Sequence, residues 1–241
     1  MSPAPKLAII AALEREVSPL IRDWTRVPRD HEGRKFTFFE HAETVLVCGG
    51  IGMQAARRAA EAAIALYHPD LIHSVGFAGA LYPALRAGDL FSPSLVLDAS
   101  DGSRSRLPGA DGTLLTFMEV AGVDQKSKLA QAYGAQAIDM EAAAVAASAA
   151  AHGIPFAVTK VISDELNFEM PGMSAFIDAG GQFKTMRFTF FAVLRPWLWT
   201  RLAVLARNSS VAARALAARL QSSSPGSTAV PASALPTGSR R

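Results

Sequence analysis

The segment from Ile138 to Glu165 limits the fold more than any other part of the chain, because it has the pattern of strand, helix and strand in succession. Its alanine-rich centre has high helix propensity, and Gly153 followed by Pro155 ends the helix. The apolar run 156–162 is short and rich in β-branched residues, as is typical of a buried parallel strand. This pattern predicts an α/β fold.

Other apolar runs alternate with helical patterns over most of the 241 residues, a length that suits one domain. The runs 35–41 and 44–48 are joined by a short turn and predict a hairpin. We therefore expect a single three-layer α/β/α domain with a mixed, largely parallel central sheet. Further predicted strands cover 7–12, 71–75, 90–98 and 113–120, and predicted helices cover 13–24, 53–67 and 124–133.

The end of the chain differs in charge from the rest. No acid follows Asp178, but 9 of the 24 basic residues do, so 15 basic residues face 21 acids before that point and give a net charge of −6. We predict one domain over residues 1–181, basic and aromatic helices over 182–220, and a disordered tail of small polar residues over 221–241.

The aromatic side chains within 182–220 leave two interpretations open. A basic helix that carries Phe and Trp is typical of a membrane surface contact, whereas the alternative is a helix that packs on the sheet or on a partner subunit. Arg195, Pro196 and Arg201 interrupt every window long enough to span a bilayer. We expect a cytoplasmic protein, with peripheral membrane association as the alternative, and no binding of nucleic acid by the acidic body.

Acids and glycines follow separate predicted strands along the chain. Glu16 comes after the first strand, Gly49 to Gly52 and Gly76 to Gly79 follow later strands, and Glu141 and Asp164 end the last two. Parallel strands deliver such residues to one edge of a sheet, where open α/β sheets bind ligands. Carboxylates without a metal-binding triad suit a sugar-like ligand whose leaving group needs a proton. We expect neither a metal nor a cofactor.

Each of these features also has a purely structural interpretation. Glu16 and Glu141 suit the first turn of a helix, where an acid favours the helix dipole. The spacing Gly50-x-Gly52 imitates a dinucleotide-binding turn, although a tight backbone turn explains it equally well. Only the order of the features along the chain favours a site.

Five short segments carry a resemblance to a known family. They contain Leu13-Glu14-Arg15-Glu16, Gly50-Ile51-Gly52, Gly76-Phe77-Ala78-Gly79 with Arg86-Ala87-Gly88-Asp89, Asp139-Met140-Glu141 and Ser163-Asp164. Together, over residues 7–178, they resemble the purine nucleoside phosphorylase and methylthioadenosine/S-adenosylhomocysteine nucleosidase superfamily. The basic aromatic end is similar to bacterial relatives described as hopanoid-associated phosphorylases, which act on an adenosyl lipid. The resemblance also implies a homo-oligomer.

The resemblance implies cleavage of the N-glycosidic bond of an adenine nucleoside that carries a 5′ substituent. Asp164 would protonate or hydrogen-bond N7 of the leaving adenine, as an acid kept at least partly protonated in a dry pocket. Glu141 would accept the ribose hydroxyls, Met140 would pack on the sugar, and Glu16 would deprotonate an attacking water. The remaining substrate contacts that the resemblance implies are Gly52, Phe77, Ala78, Gly79, Lys160 and Ser163.

Two positions leave the attacking group open. Phe77 stands where the family commonly has a serine, and Lys160 stands where the nucleosidases usually have an arginine. Lysine keeps the charge but loses the bidentate fork, so Lys160 suits phosphate as a co-substrate and a neighbouring acid equally well. An alternative function is a non-catalytic protein that binds a nucleoside or a lipid-linked nucleoside on the same fold.

Overall fold

The computed structural model describes residues 6–108, 112–168 and 199–222, together with Phe176 and Gly181. Within these residues the helices are α1 (Glu14–Ile21), α2 (Met53–Tyr67), α3 (Val123–Tyr133), α4 (Ala142–Ala151) and α5 (Trp199–Ser222). The strands are β1 (Leu7–Ala11), β2 (Thr25–His31), β3 (Arg34–His41), β4 (Thr44–Cys48), β5 (Leu71–Ala80), β6 (Leu90–Phe91), β7 (Leu95–Asp98), β8 (Arg104–Arg106), β9 (Thr113–Thr116), β10 (Ala137–Asp139) and β11 (Phe156–Asp164).

All the described strands join one mixed sheet. Its path is β2-β3-β4-β1-β5-β10-β9-β7-β8, while β11 pairs with the other side of β5 and carries β6 at the edge. The strands β4, β1, β5 and β11 are parallel, whereas β2 and β3 extend the sheet as antiparallel strands. The last residues of β5 pair antiparallel with β10. The strand β5 is therefore the centre of the sheet and contacts three neighbours.

Helices cover both faces of the sheet. On one face, alanines of α2 and α4, such as Ala59 and Ala149, are fully buried against the parallel strands, because small side chains let these helices approach the sheet closely. On the other face, Val17 of α1 and Leu216 of α5 share a core with β5 and β11. The three-layer α/β/α prediction is confirmed.

Some predicted boundaries are wrong. The strand β5 continues to Ala80, so Gly76 and Gly79 lie inside it instead of in a loop that follows it. The predicted strand 90–98 is two short strands with different partners, β6 beside β11 and β7 beside β9. The strand β2 was not predicted, because its polar sequence, half-covered at one edge of the sheet, shows no apolar alternation.

Part of the basic end packs on the body of the fold as the helix α5. Its second half buries Ala212, Leu216 and Leu220 in the core shared with α1, while Trp199 at its start is 54% exposed. Residues 182–198, with the other aromatic side chains of this segment, lie outside the described residues, as does most of the predicted tail. No helix in the described part of the chain is both long enough and apolar enough to cross a membrane.

Candidate active site

A cavity of about 960 Å³ lies where β5, β10 and β11 end, between α1 and α5. Most of the predicted site residues line it, although they come from distant parts of the sequence. Gly52 and Lys160 do not line it, and each instead contacts an acid that does. The predicted residues in the lining are Glu16, Phe77, Ala78, Gly79, Met140, Glu141, Ser163 and Asp164.

Glu16 is a buried acid without a complete set of partners. It lies in the first turn of α1, it is 6% exposed, and its Oε2 accepts no hydrogen bond from the described residues. Burial raises the pKa of Glu16 to about 7, and the nearby Glu141 carboxylate adds to the rise. A carboxyl group with this pKa is suited to accept a proton near neutral pH.

The two glycines inside β5 let two acids approach the strand closely. A Cβ on Gly76 would lie 2.6 Å from Oε2 of Glu16, and a Cβ on Gly79 would lie 2.9 Å from Oδ2 of Asp164. Gly76 also has φ +141°, a conformation that L side chains rarely adopt. The glycines thus bring the strand backbone against the two carboxyl groups, which explains why they lie inside a strand.

Glu141 accepts a hydrogen bond from the backbone at the start of α2. The N–H of Gly52 donates a 2.8 Å hydrogen bond to Oε1 of Glu141, and the N–H of Met140 donates a longer one, 3.3 Å, to Oε2. Burial raises the pKa of Glu141 and Lys160 opposes this rise. The first turn of α2 therefore holds a protein carboxylate, which favours the tight-turn interpretation of Gly50-x-Gly52 over the dinucleotide-binding one.

Lys160 forms a fully buried ion pair below the cavity. Its Nζ lies 2.9 Å from Oδ2 of Asp139, and the side chains are 1% and 0% exposed. Oδ1 of Asp139 accepts a 2.7 Å hydrogen bond from Thr116, and Oδ2 accepts a second bond from the N–H of Ala142. Although burial disfavours the charged lysine, the carboxylates of Asp139 and Glu141 raise the pKa of Lys160. Of the two interpretations of Lys160, these contacts favour the charge paired with a neighbouring acid.

Asp164 is held from two sides. Ser163 donates a 2.7 Å hydrogen bond to Oδ1, and the ammonium of Lys126 lies 2.5 Å from Oδ2. The Asp164 side chain keeps 24% of its surface exposed. The resemblance implies an acid kept at least partly protonated in a dry pocket, whereas the structure places a lysine against Asp164 and leaves part of its side chain exposed.

A β-bulge in β11 changes the direction of the side chains that follow Ile162. Ile162 pairs with Ala78 and Asp164 pairs with Gly79, so Ser163 is an extra residue in β11. The strict alternation of side chains along β11 therefore ends at the bulge, between Lys160 and Asp164. Lys160 reaches Asp139, while Asp164 turns towards α3 and Lys126.

Two parts of the cavity were missed in the sequence analysis. Lys126 belongs to a short amphipathic helix in which nothing distinguishes a buried lysine from an exposed one. The wall between α1 and α5 joins segments about 190 residues apart, and only packing brings them together. Its apolar lining consists of Leu13, Pro19, Leu202, Leu205, Ala206 and Ala213.

Comparison with known proteins places these features in a family. The family model described as the phosphorylase superfamily matches residues 6–121 and 112–194. A 5′-methylthioadenosine/S-adenosylhomocysteine nucleosidase of Staphylococcus epidermidis is 29% identical over 198 residues, which are 67% of this chain and 87% of the relative.

Solved structures share the fold at lower identity. The 5′-methylthioadenosine nucleosidase of Arabidopsis thaliana has a TM-score of 0.68 at 18% identity, covering 91% of this chain and 94% of the other. The futalosine hydrolase of Helicobacter pylori has a TM-score of 0.61 at 17% identity, covering 90% and 98%. The expected α/β architecture and the resemblance to this superfamily are both confirmed.

Proposed function

The chain belongs to the phosphorylase superfamily, a family of nucleosidase and phosphorylase enzymes, and from that premise we propose that it hydrolyses the N-glycosidic bond of an adenine nucleoside. The observation that carries this proposal is the placement of Glu16 and Asp164 over Gly76 and Gly79 of one strand. Both acids also line the same cavity, where one can act at the leaving base and the other can activate water on the other side of the sugar.

Each group has a role that its surroundings support. Glu16, with its raised pKa and unpaired Oε2, takes the proton of the attacking water. Glu141 lies beside Glu16 and accepts hydrogen bonds from the ribose hydroxyls, while Met140 packs on the sugar. Asp164 contacts N7 of the departing purine, and Ser163 orients it. As the glycosidic bond breaks, the carboxylates also stabilise the positive charge that develops on the ribose.

The charges around the attacking position favour water over phosphate. Glu16 and Glu141 bring two buried carboxyl groups to this part of the cavity, and the nearby Lys160 is already paired with Asp139. A phosphate dianion would meet like charges there at low dielectric, which is costly. Water has no such penalty and supplies the proton that Glu16 accepts.

The reaction is tested by measuring adenine release from methylthioadenosine, S-adenosylhomocysteine and adenosine, each with and without inorganic phosphate. We expect adenine and a free reducing sugar at a rate that does not depend on phosphate. Release only with phosphate, together with a sugar 1-phosphate, would show a phosphorylase. Tight binding of the nucleosides without any release would leave the non-catalytic binding protein.

The wall between α1 and α5 supports a finer proposal about the 5′ substituent. Its apolar side chains lie beside the polar Arg15, Arg22 and Arg214, and the wall enlarges the cavity to about 960 Å³, close to the upper end of the range for ligand pockets, roughly 300–1,000 Å³. Burial of apolar surface contributes about 0.8 kcal/mol per methylene. We therefore propose that the 5′ group is a long apolar one, as in an adenosyl lipid.

Leu205 tests the apolar wall. Leu205→Asp should lower kcat/KM for a long 5′-alkylthioadenosine by about tenfold or more, since a charge replaces apolar contact with the 5′ group, while the value for adenosine changes little. The matched control is Val204→Asp, because Val204 precedes Leu205 on α5 but is 46% exposed and does not line the cavity. Equal losses for both nucleosides would contradict a role in recognising the 5′ group.

A further inference from the structure

Lys126 is a buried cation next to Asp164 in the cavity. It projects from α3, its side chain is 2% exposed, and it lines the cavity. Its ammonium contacts Oδ2 of Asp164 at 2.5 Å, the carbonyl of Glu165 at 2.9 Å and the carbonyl of Phe168 at 3.4 Å. These three acceptors use all three protons of the ammonium.

The contacts of Asp164 raise a question about the proton that the departing purine needs. One oxygen of Asp164 accepts a hydrogen bond from Ser163, and the other accepts one from Lys126. A carboxylate held in this way is a hydrogen-bond acceptor and has no proton of its own to give. The nearest proton is on the ammonium of Lys126.

We infer that Lys126 is a positioning residue that supplies, through Asp164, the proton taken by the leaving base. This inference rests on the proposed nucleoside hydrolysis. A proton moves from Nζ of Lys126 to Oδ2 of Asp164 and leaves the pair as neutral amine and carboxylic acid, so the net charge of the pair is unchanged. Asp164 then gives the proton to N7 as the C1′–N9 bond breaks and its electron pair goes to the purine.

The other half of the reaction balances this transfer. The attacking water forms a bond to C1′ and loses a proton to Glu16, and the products are the free purine and ribose carrying a hydroxyl at C1′. Between turnovers Lys126 regains a proton from solvent and Glu16 releases one. The assignment also divides the two buried lysines, because Lys160 stays with Asp139 and only Lys126 contacts the acid at the base.

Two substitutions separate proton supply from charge and packing. Lys126→Met removes the proton and nearly keeps the side-chain volume. Lys126→Arg keeps the charge but cannot pass on a proton, because the guanidinium is not deprotonated in proteins. With methylthioadenosine, we expect both variants to lower kcat by about 100-fold, as for loss of general acid catalysis, and to change KM by less than about threefold. Lys128→Met is the control, because Lys128 is exposed on the same helix.

The 2-fluoro analogue of methylthioadenosine supplies the decisive comparison, because its purine leaves more easily and needs protonation less. We expect the deficit of both Lys126 variants to shrink by about tenfold with this analogue. Equal deficits for the two nucleosides, or full rescue of kcat by Lys126→Arg, would overturn the proton-supply role. If the wild-type protein released no adenine, the proposed function itself would fail.

Discussion

Glu16→Gln is expected to lower kcat for adenine release by about 1,000-fold, because it removes the group that takes the proton of the attacking water. In the wild-type protein, kcat/KM should rise with pH and reach half of its plateau near pH 7, since burial raises the pKa of Glu16 to about 7 and only the ionised form accepts a proton. Measuring initial rates of adenine release from pH 5 to 9 tests both expectations.

The same substitution should make the protein more stable. The folded protein binds the Glu16 proton more tightly than the unfolded chain does, so stability is lost as pH rises from about 4.5 through about 7. Above pH 7, this rise in the pKa of Glu16 lowers the free energy of unfolding by about 3 kcal/mol, since each pKa unit is worth about 1.4 kcal/mol. Glutamine has no such charge, although its amide needs partners, so we expect a gain of about 1–2 kcal/mol at pH 8.

Urea unfolding of Glu16→Gln and wild type at pH 5 and pH 8 measures this effect. The gain should be large at pH 8 and small at pH 5, where Glu16 is mostly protonated. The matched control is Glu14→Gln, because Glu14 is exposed on the same helix and pairs with Arg26. Equal gains at both pH values would contradict the account of Glu16 as a desolvated acid.

The sequence predicted the centre of the site better than its walls, and the reason lies in the range of the interactions involved. Glu141 and Asp164 follow strands that are apolar and bounded by breakers, so local pattern and parallel topology sufficed to bring them to one edge of the sheet. The pattern also predicted the layer that covers one face of the sheet, because α2 and α4 are rich in alanine and need no distant partner to be recognised as helices.

Features that depend on tertiary contacts were not predictable in this way. Gly76 and Gly79 suggested a loop, because glycine disfavours strands, and only the carboxyl groups above them explain their place inside β5. Ser163 forms a bulge that no spacing of residues in the sequence predicts. Lys126 differs from the exposed Lys128 only in the direction that it faces, which the packing of α3 on β7, β9 and β10 determines.

Asp164→Asn should abolish adenine release almost as completely as Glu16→Gln, with an expected loss of about 1,000-fold in kcat. Asparagine keeps the shape of the side chain and accepts a hydrogen bond from Lys126, but it cannot carry a proton to N7. The expected loss therefore falls on kcat more than on KM. Asp124→Asn is the matched control, because Asp124 is exposed at the start of α3 and does not line the cavity.

The effect on stability should have the opposite sign to that of Glu16→Gln. Removing one partner of a buried ion pair costs about 3–5 kcal/mol, because the other charge stays buried. Since Asp164 keeps 24% of its side chain exposed, solvent still reaches the pair, and we expect a loss nearer to about 2 kcal/mol for Asp164→Asn. Both acids would serve the same reaction. Asp164 contacts the ammonium of Lys126, whereas ionisation of the buried Glu16 lowers the free energy of unfolding. If urea unfolding at pH 8 showed both variants stabilised, Lys126 would not hold Asp164 as an ion pair in solution.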